Sequence, residues 1–267
     1  MLDTNRGFFW RTALIALLCA PAPSAGAQSS APRADSAARA VLQRMHDAYD
    51  GKWYRTLTFV QRTTTWDTAR VAKVETWYES IAQIDGRVVL RIDRGSPADG
   101  NGVLYTADSM WLMRMGKLAA TRASGNVFLP VIEGVYVQPV DQTIRELRST
   151  GVDLTQLHRT SWQGRAVIAI GASADDDLTS PQLWIDPERN VLVRMILRTA
   201  PARPALDVHL DGYERAGSAW LATKVTMLAN GVAQQVEEYS DWRADPPLGA
   251  SLFSTDKWTT SLHWAKP

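Results

Sequence analysis

The sequence has 267 residues, of which 45% are hydrophobic, and a formal net charge of +1 at pH 7. A chain of this length buries enough surface to fold without a structural metal or a disulfide bond. The balanced charge, without a long run of one sign, argues against a nucleic-acid partner. The 11 tryptophans are expected mainly in the core, because Trp carries a large apolar area; the alternative is that several line an apolar cavity.

Residues 1–27 have the pattern of a cleaved export signal. Arg6 and Arg11 form its positive region, and the apolar run at 12–20 is too short to cross a bilayer. Small residues at 25–27 provide a cleavage site, so the mature chain is expected to begin near Gln28. We therefore predict a periplasmic protein, exported through a cleaved signal peptide.

The single cysteine, Cys19, lies inside this signal. A lipoprotein signal needs a small residue directly before the modified cysteine, and Leu18 occupies that position, so lipidation is disfavoured. Cleavage after Ala27 leaves a mature chain without cysteine, which must rely on its core alone. No later segment approaches the roughly 20 apolar residues of a membrane-spanning helix.

The first predicted element of the mature chain is a helix. Residues 28–34 are rich in Ser, Ala and Pro and are predicted to be a short disordered leader. From 35 to 50, apolar residues recur at helical spacing, Asp35 can cap the start and Gly51 can end the helix. His46 lies off the apolar stripe, which favours a solvent-facing side chain over a metal ligand.

From Trp53 onward the apolar period changes to two, which is typical of strands. The predicted strands of this first block cover 54–66, 70–84, 87–93, 103–106, 110–115 and 117–122. Short polar or Gly-containing turns separate them, so neighbouring strands are expected to pair antiparallel.

An insertion at 126–150 breaks this rhythm. Its first part, 126–137, is apolar and is interrupted by Pro130 and Gly134; its second part, 139–150, has the pattern of a helix with Pro139 near its first turn. We interpret the insertion as a helical lid. Pro130 and Gly134 are either a hinge or plain helix breakers, and the sequence leaves both open.

A second strand block begins near Leu154. Its clearest feature is a hairpin at 181–198, where two apolar runs flank a turn that ends at Asn190, a residue that tolerates the left-handed conformation. The second run is apolar on both faces, which predicts a central strand. Asn230-Gly231 is the strongest hairpin turn signal in the chain.

These patterns predict a mostly β, α+β fold. About ten or eleven antiparallel strands form a strongly curved sheet or an unclosed β-barrel, because so many strands cannot stay flat. An N-terminal helix and the lid insertion at 126–150 complete a single domain at 35–267.

The search for catalytic or metal chemistry finds little. The four histidines lack metal-ligand spacing, and no nucleotide-binding motif occurs, so no cofactor is expected. Asp175, Asp176 and Asp177 lack the spacing of a calcium loop, and a solvated loop is favoured. Ser173 sits in Gly171-Ala-Ser-Ala, which approaches a nucleophile elbow, but no apolar helical stripe follows it.

Taken together, the helix at 38–49 behind an export signal, the lid insertion, the hairpin at 183–194 and the closing segment around Tyr239 and Phe253 resemble a known family. The chain is similar to the LolA and LolB superfamily of periplasmic lipoprotein carriers, and to outer membrane lipoprotein-sorting proteins in particular. The resemblance implies an unclosed barrel whose helical lid covers an apolar cavity for acyl chains. It implies neither catalysis nor a cofactor.

The leading hypothesis is therefore a monomeric, non-catalytic periplasmic carrier of lipoprotein acyl chains or another lipid. The alternatives are an envelope-sensing or structural module that binds a protein partner, such as an envelope membrane protein, and, more remotely, an esterase at Ser173. The residues predicted to line the cavity are Val88, Leu90, Ile92, Trp111, Met113, Met115, Leu183 and Ile185. The residues predicted to form the lid are Phe128, Leu129, Val131 and Ile132. For each of them the alternative is ordinary core packing.

Overall fold

The computed structural model describes residues 31–198 and 203–265, with side chains described from Asp35 onward. The predicted export signal, Cys19 and the first part of the predicted leader lie outside the described residues. Where the chain is described, no helix is long and apolar enough to span a membrane.

Helices form a small part of the described chain. Helix α1 is Ala31–Tyr49, which begins four residues before the predicted start. The lid insertion contains a π-helical turn at Pro130–Gly134, the short helix α2 at Val135–Val137 and helix α3 at Val140–Ser149. The predicted helix at 139–150 is thus confirmed.

Strands account for most of the remainder. Their bounds are β1 Thr56–Trp66, β2 Ala72–Ile84, β3 Arg87–Arg94, β4 Gly102–Tyr105, β5 Met110–Arg114, β6 Lys117–Arg122, β7 Leu157–Trp162, β8 Arg165–Ile170, β9 Gln182–Asp186, β10 Val191–Leu197, β11 Leu206–Asp211, β12 Glu214–Ala216, β13 Ala219–Leu221, β14 Lys224–Ala229 and β15 Val232–Ala244. The hairpin of β12 and β13 was not predicted.

The described strands form one large antiparallel sheet and one small hairpin. The large sheet holds 13 strands in the order β6-β5-β4-β3-β2-β1-β15-β14-β11-β10-β9-β8-β7, and β12 pairs with β13. The sheet is strongly curved but does not close, because β6 and β7 remain its two edges. This confirms the predicted fold class.

This strand order places the lid. The chain enters at the middle of the sheet, moves outward to the edge strand β6, and resumes at the opposite edge strand β7. The lid insertion is the connection between these two edges. A connection between the edges of a curved, unclosed sheet has to cross its open side, so the topology itself puts the lid over the concave face.

Both predicted hairpins are confirmed. Strands β9 and β10 pair around a turn in which Asn190 has φ +56°, and β10 lies inside the sheet between β9 and β11. Asn230 and Gly231 join β14 to β15 with φ +50° and +74°, as a two-residue turn that matches strand twist requires.

On the convex face, the C-terminal tail is held by a buried ion pair. The Arg91 side chain donates two hydrogen bonds of 2.7 Å to Asp93 and one of 2.7 Å to the carbonyl of Leu252. Its guanidinium also lies 3.8 Å from the ring centre of Trp258. His263 approaches the same Asp93 at 3.0 Å. The convex face thus takes its cover from the tail, and the concave face takes its cover from the helices.

Candidate functional site

The concave face of the sheet and the helices above it share one continuous apolar core. On the helical side, α1 and the lid insertion contribute side chains that are at most 6% exposed: Ala38, Val41, Leu42, Met45, Leu129, Val131, Val135, Ile144 and Leu147. The sheet contributes residues from both halves of the curve, including Leu57, Ile81, Met195 and Val208. The hollow of the sheet is therefore filled by the protein's own helices.

Five of the predicted cavity residues face this core. Leu90 and Ile92 from β3, and Leu183 and Ile185 from β9, are at most 7% exposed and belong to it. Val88 is partly buried against its edge. The structure thus brings together two walls that are far apart in the sequence; whether these residues contact a lipid stays a prediction.

The expectation that Trp111, Met113 and Met115 share this surface is wrong. Met113 is buried on the opposite face, in a cluster with Trp258 of the C-terminal tail, and Trp111 packs against that cluster. Met115 has φ +47° in the turn after β5 and is 82% exposed. The β5 residues that face the concave core are Met110 and Leu112. Since this strand is apolar on both faces, its alternation did not reveal which side points inward.

All four predicted lid residues contact the concave core. Leu129 and Val131 are each 1% exposed, and Phe128 and Ile132 are partly buried against the same cluster. They lie in or just before the π-helical turn, and such turns are frequent at functional sites. Their position over the concave face agrees with a lid, and their contact with cargo stays a prediction.

Glu133 ties the lid to the segment after α1, and sequence reasoning missed it. Its carboxylate is 4% exposed and accepts a hydrogen bond of 2.9 Å from the indole Nε1 of Trp53 and another from the hydroxyl of Tyr54. Burial raises the pKa of Glu133 to about 7, although both hydrogen bonds act to lower it. A lone acidic residue inside the apolar run 127–137 was the available signal.

An aromatic cluster surrounds this carboxylate. Trp53 stacks on Tyr136 with ring centres 3.9 Å apart, and Tyr49 meets the edge of both rings. The hydroxyl of Tyr49 donates to the carbonyl of Arg189, and that of Tyr136 donates to the carbonyl of Asn190. The lid is thereby held at one point to α1 and to the β9–β10 turn. We call Glu133 with Trp53 and Tyr54 the latch.

A small cavity lies at the seam between the lid and the sheet. Its volume is about 150 Å³, and Val88, Leu129 and Pro130 form its apolar part. Polar groups from β3, the β4–β5 turn and the lid complete its lining: Arg87, Thr106, Asp108, Gln138, Gln142 and Glu146. Pockets for drug-sized ligands are roughly 300–1,000 Å³. The seam cavity is thus too small for a long acyl chain.

Two exposed ion pairs join α1 to α3. Arg39 contacts Asp141 at 2.5 Å and Arg148 contacts Asp35 at 2.8 Å, with every partner at least 39% exposed. Exposed pairs of this kind contribute roughly 0–1 kcal/mol each. The apolar core and the latch therefore dominate the attachment of the lid.

The surroundings of Ser173 do not form a nucleophile elbow. Ser173 is exposed, and the described loop at 171–181 that contains it includes no helix. The nearby His158 directs Nδ1 at the carbonyl of Ala172 (2.9 Å) and Nε2 at Asp175 (2.7 Å). Both ring nitrogens face acceptor oxygens, so neither is placed to take a proton from Ser173. In the part of the chain that is described, no group of three or more His, Cys, Asp or Glu could hold a metal.

Comparison with known proteins gives a fold. No family model matches the sequence, and no curated protein matches it significantly. Among solved structures, a domain from Vibrio parahaemolyticus, assigned provisionally as an outer membrane lipoprotein-sorting protein, aligns with a TM-score of 0.56 over 84% of this chain and 99% of its own, at 10% identity. A DUF1329 family protein from Desulfovibrio piger aligns with a TM-score of 0.54 and 12% identity. The alignment covers 82% of this chain and 96% of that protein. The chain has the LolA-like fold.

A LolA superfamily protein from Nitrosomonas europaea also aligns, over 81% of this chain and 97% of its own, with a TM-score of 0.48 and 11% identity. At these identities the likeness concerns the fold alone. The function has to be argued from the concave site.

Proposed function

We propose that this protein is a non-catalytic carrier in the periplasm that shelters the acyl chains of a lipoprotein or another lipid. The chains would lie between the concave face of the sheet and the lid, in the space that the lid side chains fill in the closed state. The predicted export signal at 1–27 supports the periplasmic location.

One observation carries the proposal. Both β3 and β9 present apolar side chains to the concave core, and part of the cover of this core is a separate insertion that joins the two sheet edges. A cover built this way can move while the sheet keeps its backbone hydrogen bonds. Movement would expose side chains such as Leu90, Ile92 and Leu183, and each methylene of a bound acyl chain would recover roughly 0.8 kcal/mol by burial.

The decisive experiment locks the lid and measures lipid uptake. Residues 28–267 contain no cysteine, so Arg87→Cys and Gln142→Cys provide the only thiols. Both positions line the seam cavity, one on β3 and one on the lid, and a short bismaleimide can bridge them. The bridged protein should lose uptake of a fluorescent fatty acid, and the unbridged double variant should retain it.

A matched control uses the sheet itself. Arg62 and Glu238 are directly paired across β1 and β15 and contact each other at 2.7 Å on the surface. Bridging cysteines at these two positions joins strands that do not separate, so uptake should persist. Undiminished uptake in the protein bridged at 87 and 142 would contradict the lid mechanism. No uptake of any amphiphile by the unmodified protein would contradict the carrier function and favour a protein-binding module.

A further inference from the structure

The concave face becomes polar at the end that is distant from the seam cavity. Along β3 the inward side chains run from Val88, at the seam, through Leu90 and Ile92 to Arg94. Arg94 is directly paired with Trp77 on β2, and its guanidinium lies 4.5 Å from the Trp77 ring centre. We call Trp77, Glu79 and Arg94 the polar patch.

Two side chains of the polar patch have buried hydrogen-bond donors without a partner. The indole Nε1 of Trp77 and the Nε of Arg94 are buried, and neither has a hydrogen-bond partner among the described residues. Trp77 is 7% exposed and Glu79 is 5% exposed. Glu79 follows Trp77 by two residues in β2 and hence points to the same face. Buried polar groups in native proteins nearly always have a partner, so each exception needs a cause.

Glu79 lies on the same face as the two donors and is itself buried. Burial, together with the nearby Glu237, raises the pKa of Glu79 well above its ordinary value, against the opposing effect of Arg94. The shift favours the protonated form of the carboxyl, which is the form that can donate a hydrogen bond. Glu237, in contrast, already accepts hydrogen bonds from Gln235 and Tyr239. The patch thus presents two buried donors without a partner, the indole N–H of Trp77 and the Nε–H of Arg94.

We propose that the polar patch binds the acyl oxygen of the cargo, either the carboxylate of a free fatty acid or the ester carbonyl of an acylated glycerol. This proposal rests on the carrier function and names the chemistry of its ligand. An acyl oxygen is a pure acceptor that satisfies buried donors. From Arg94 to Val88 the strand covers six residues, roughly 20 Å at 3.3 Å per residue. The acyl chain would run over Ile92 and Leu90 toward the lid, where its far end would displace lid side chains.

The test compares three amphiphiles of one chain length: palmitate, methyl palmitate and hexadecylamine. Each displaces a fluorescent acyl probe from the protein 28–267. A hydrogen bond to a charged partner contributes roughly 1.5–3 kcal/mol, so palmitate should bind at least about tenfold tighter than hexadecylamine. Tighter binding of methyl palmitate than of palmitate would identify the ester as the natural group, and the reverse order would identify the free acid.

Trp77→Phe keeps most of the ring and removes only the donor. It should weaken binding of the preferred acyl ligand by about fivefold and leave hexadecylamine unchanged. Trp162→Phe is the matched control, because the Nε1 of Trp162 is also buried without a partner among the described residues but packs with Trp184 on the convex face. It should change neither affinity. As a second readout, the indole N–H resonance that disappears in Trp77→Phe should shift downfield when the wild-type protein binds its acyl ligand.

Equal affinity for the three amphiphiles, with no effect of Trp77→Phe and no movement of its N–H resonance, would overturn the acyl-oxygen site. That result would leave the carrier function intact and assign the unused donors to ordered water. If none of the three amphiphiles displaces the probe and the probe itself does not bind, the carrier function fails together with this site.

Discussion

The latch makes the stability of the protein depend on pH in a direction that the structure fixes. Glu133 has a pKa of about 7 in the folded protein, against an ordinary value of 4.5, because it is buried. Below pH 4.5 both states hold the proton. Between pH 4.5 and 7 the unfolded chain releases it while the folded protein keeps it, so stability falls as pH rises and levels off above 7. At 1.36 kcal/mol per pH unit, the loss from this one group is roughly 3 kcal/mol.

Glu133→Gln tests this magnitude, because the amide cannot titrate. Its oxygen can still accept from Trp53, and its NH2 group can donate to the hydroxyl oxygen of Tyr54. Urea unfolding followed by tryptophan fluorescence gives the free energy of unfolding of both proteins from about pH 4.5 to about pH 8. The wild-type value minus the value of the Glu133→Gln variant should fall by roughly 3 kcal/mol over this range. The pKa values of Glu79 and Glu237 are also raised by burial, but both residues are present in both proteins, so their contributions cancel.

Tyr54→Phe separates the effect of burial on the pKa of Glu133 from the effect of the Tyr54 hydrogen bond. The Tyr54 hydroxyl donates to Glu133 and lowers its pKa, so its loss should move the fall in stability to higher pH. A difference between the wild type and Glu133→Gln that stays flat with pH would refute the assignment of Glu133 as a buried, titrating latch. A fall that moves to lower pH in Tyr54→Phe would refute the role of the hydroxyl.

The remaining predictions concern packing and are checked by urea unfolding. Arg91→Met leaves the carboxylate of Asp93, which is 0% exposed, without its cation and should cost about 3–5 kcal/mol; a cost below about 1 kcal/mol would show that the tail is held otherwise. Leu183→Ala removes a side chain that is 0% exposed and should cost about 2–5 kcal/mol, and a smaller effect would contradict its central position. Met110→Asp should destabilise strongly because Met110 is 2% exposed, and Met115→Asp, at 82% exposure, should stay within about 0.5 kcal/mol. Similar effects of both would contradict the assignment of faces in β5.

Local turn chemistry accounts for the part of the fold that the sequence predicted well. Asn190 and the Asn230-Gly231 pair adopt the positive φ values that their side chains favour, so their hairpins could be predicted from a few residues each. The lid insertion could also be predicted, since Pro130 and Gly134 interrupt an apolar run where the strand rhythm stops. The short hairpin of β12 and β13 could not, because strands of three residues carry too little periodicity.

The sequence could not predict which side of a strand faces the helices when both sides are apolar. In β5 the residues Met110, Trp111, Leu112 and Met113 are all apolar, and the two faces are separated only by what covers them: the helices on one side and the C-terminal tail on the other. That tail lies more than a hundred residues later in the chain. No local pattern can report such a partner, so the predicted face was right for β3 and β9 and wrong for β5. That the β3 and β9 residues line a lipid cavity stays a prediction.

The latch and the polar patch were missed for a related reason. A single Glu in an apolar run, or a Trp-x-Glu in a strand, is ordinary in sequence. It becomes informative only when burial is known, because burial is what raises the pKa of Glu133 and leaves the Trp77 N–H without a partner. Both facts depend on chain segments that meet only in the folded protein.

The two polar features also define how such a carrier could regulate its affinity. In the proposed carrier, cargo would compete with the lid side chains that fill the concave face. Its apparent affinity would be lower when a smaller fraction of molecules has an open lid. The latch would set that fraction. Opening would release Glu133 to water, where its pKa returns toward 4.5, so opening would become easier as pH rises toward 7 and no further above it. The polar patch acts in the opposite sense, because its donors gain a partner only when cargo is bound. In the proposed carrier, the latch would thus oppose entry of the cargo and the polar patch would stabilise bound cargo. A carrier that both loads and releases needs these two contributions to be close in free energy.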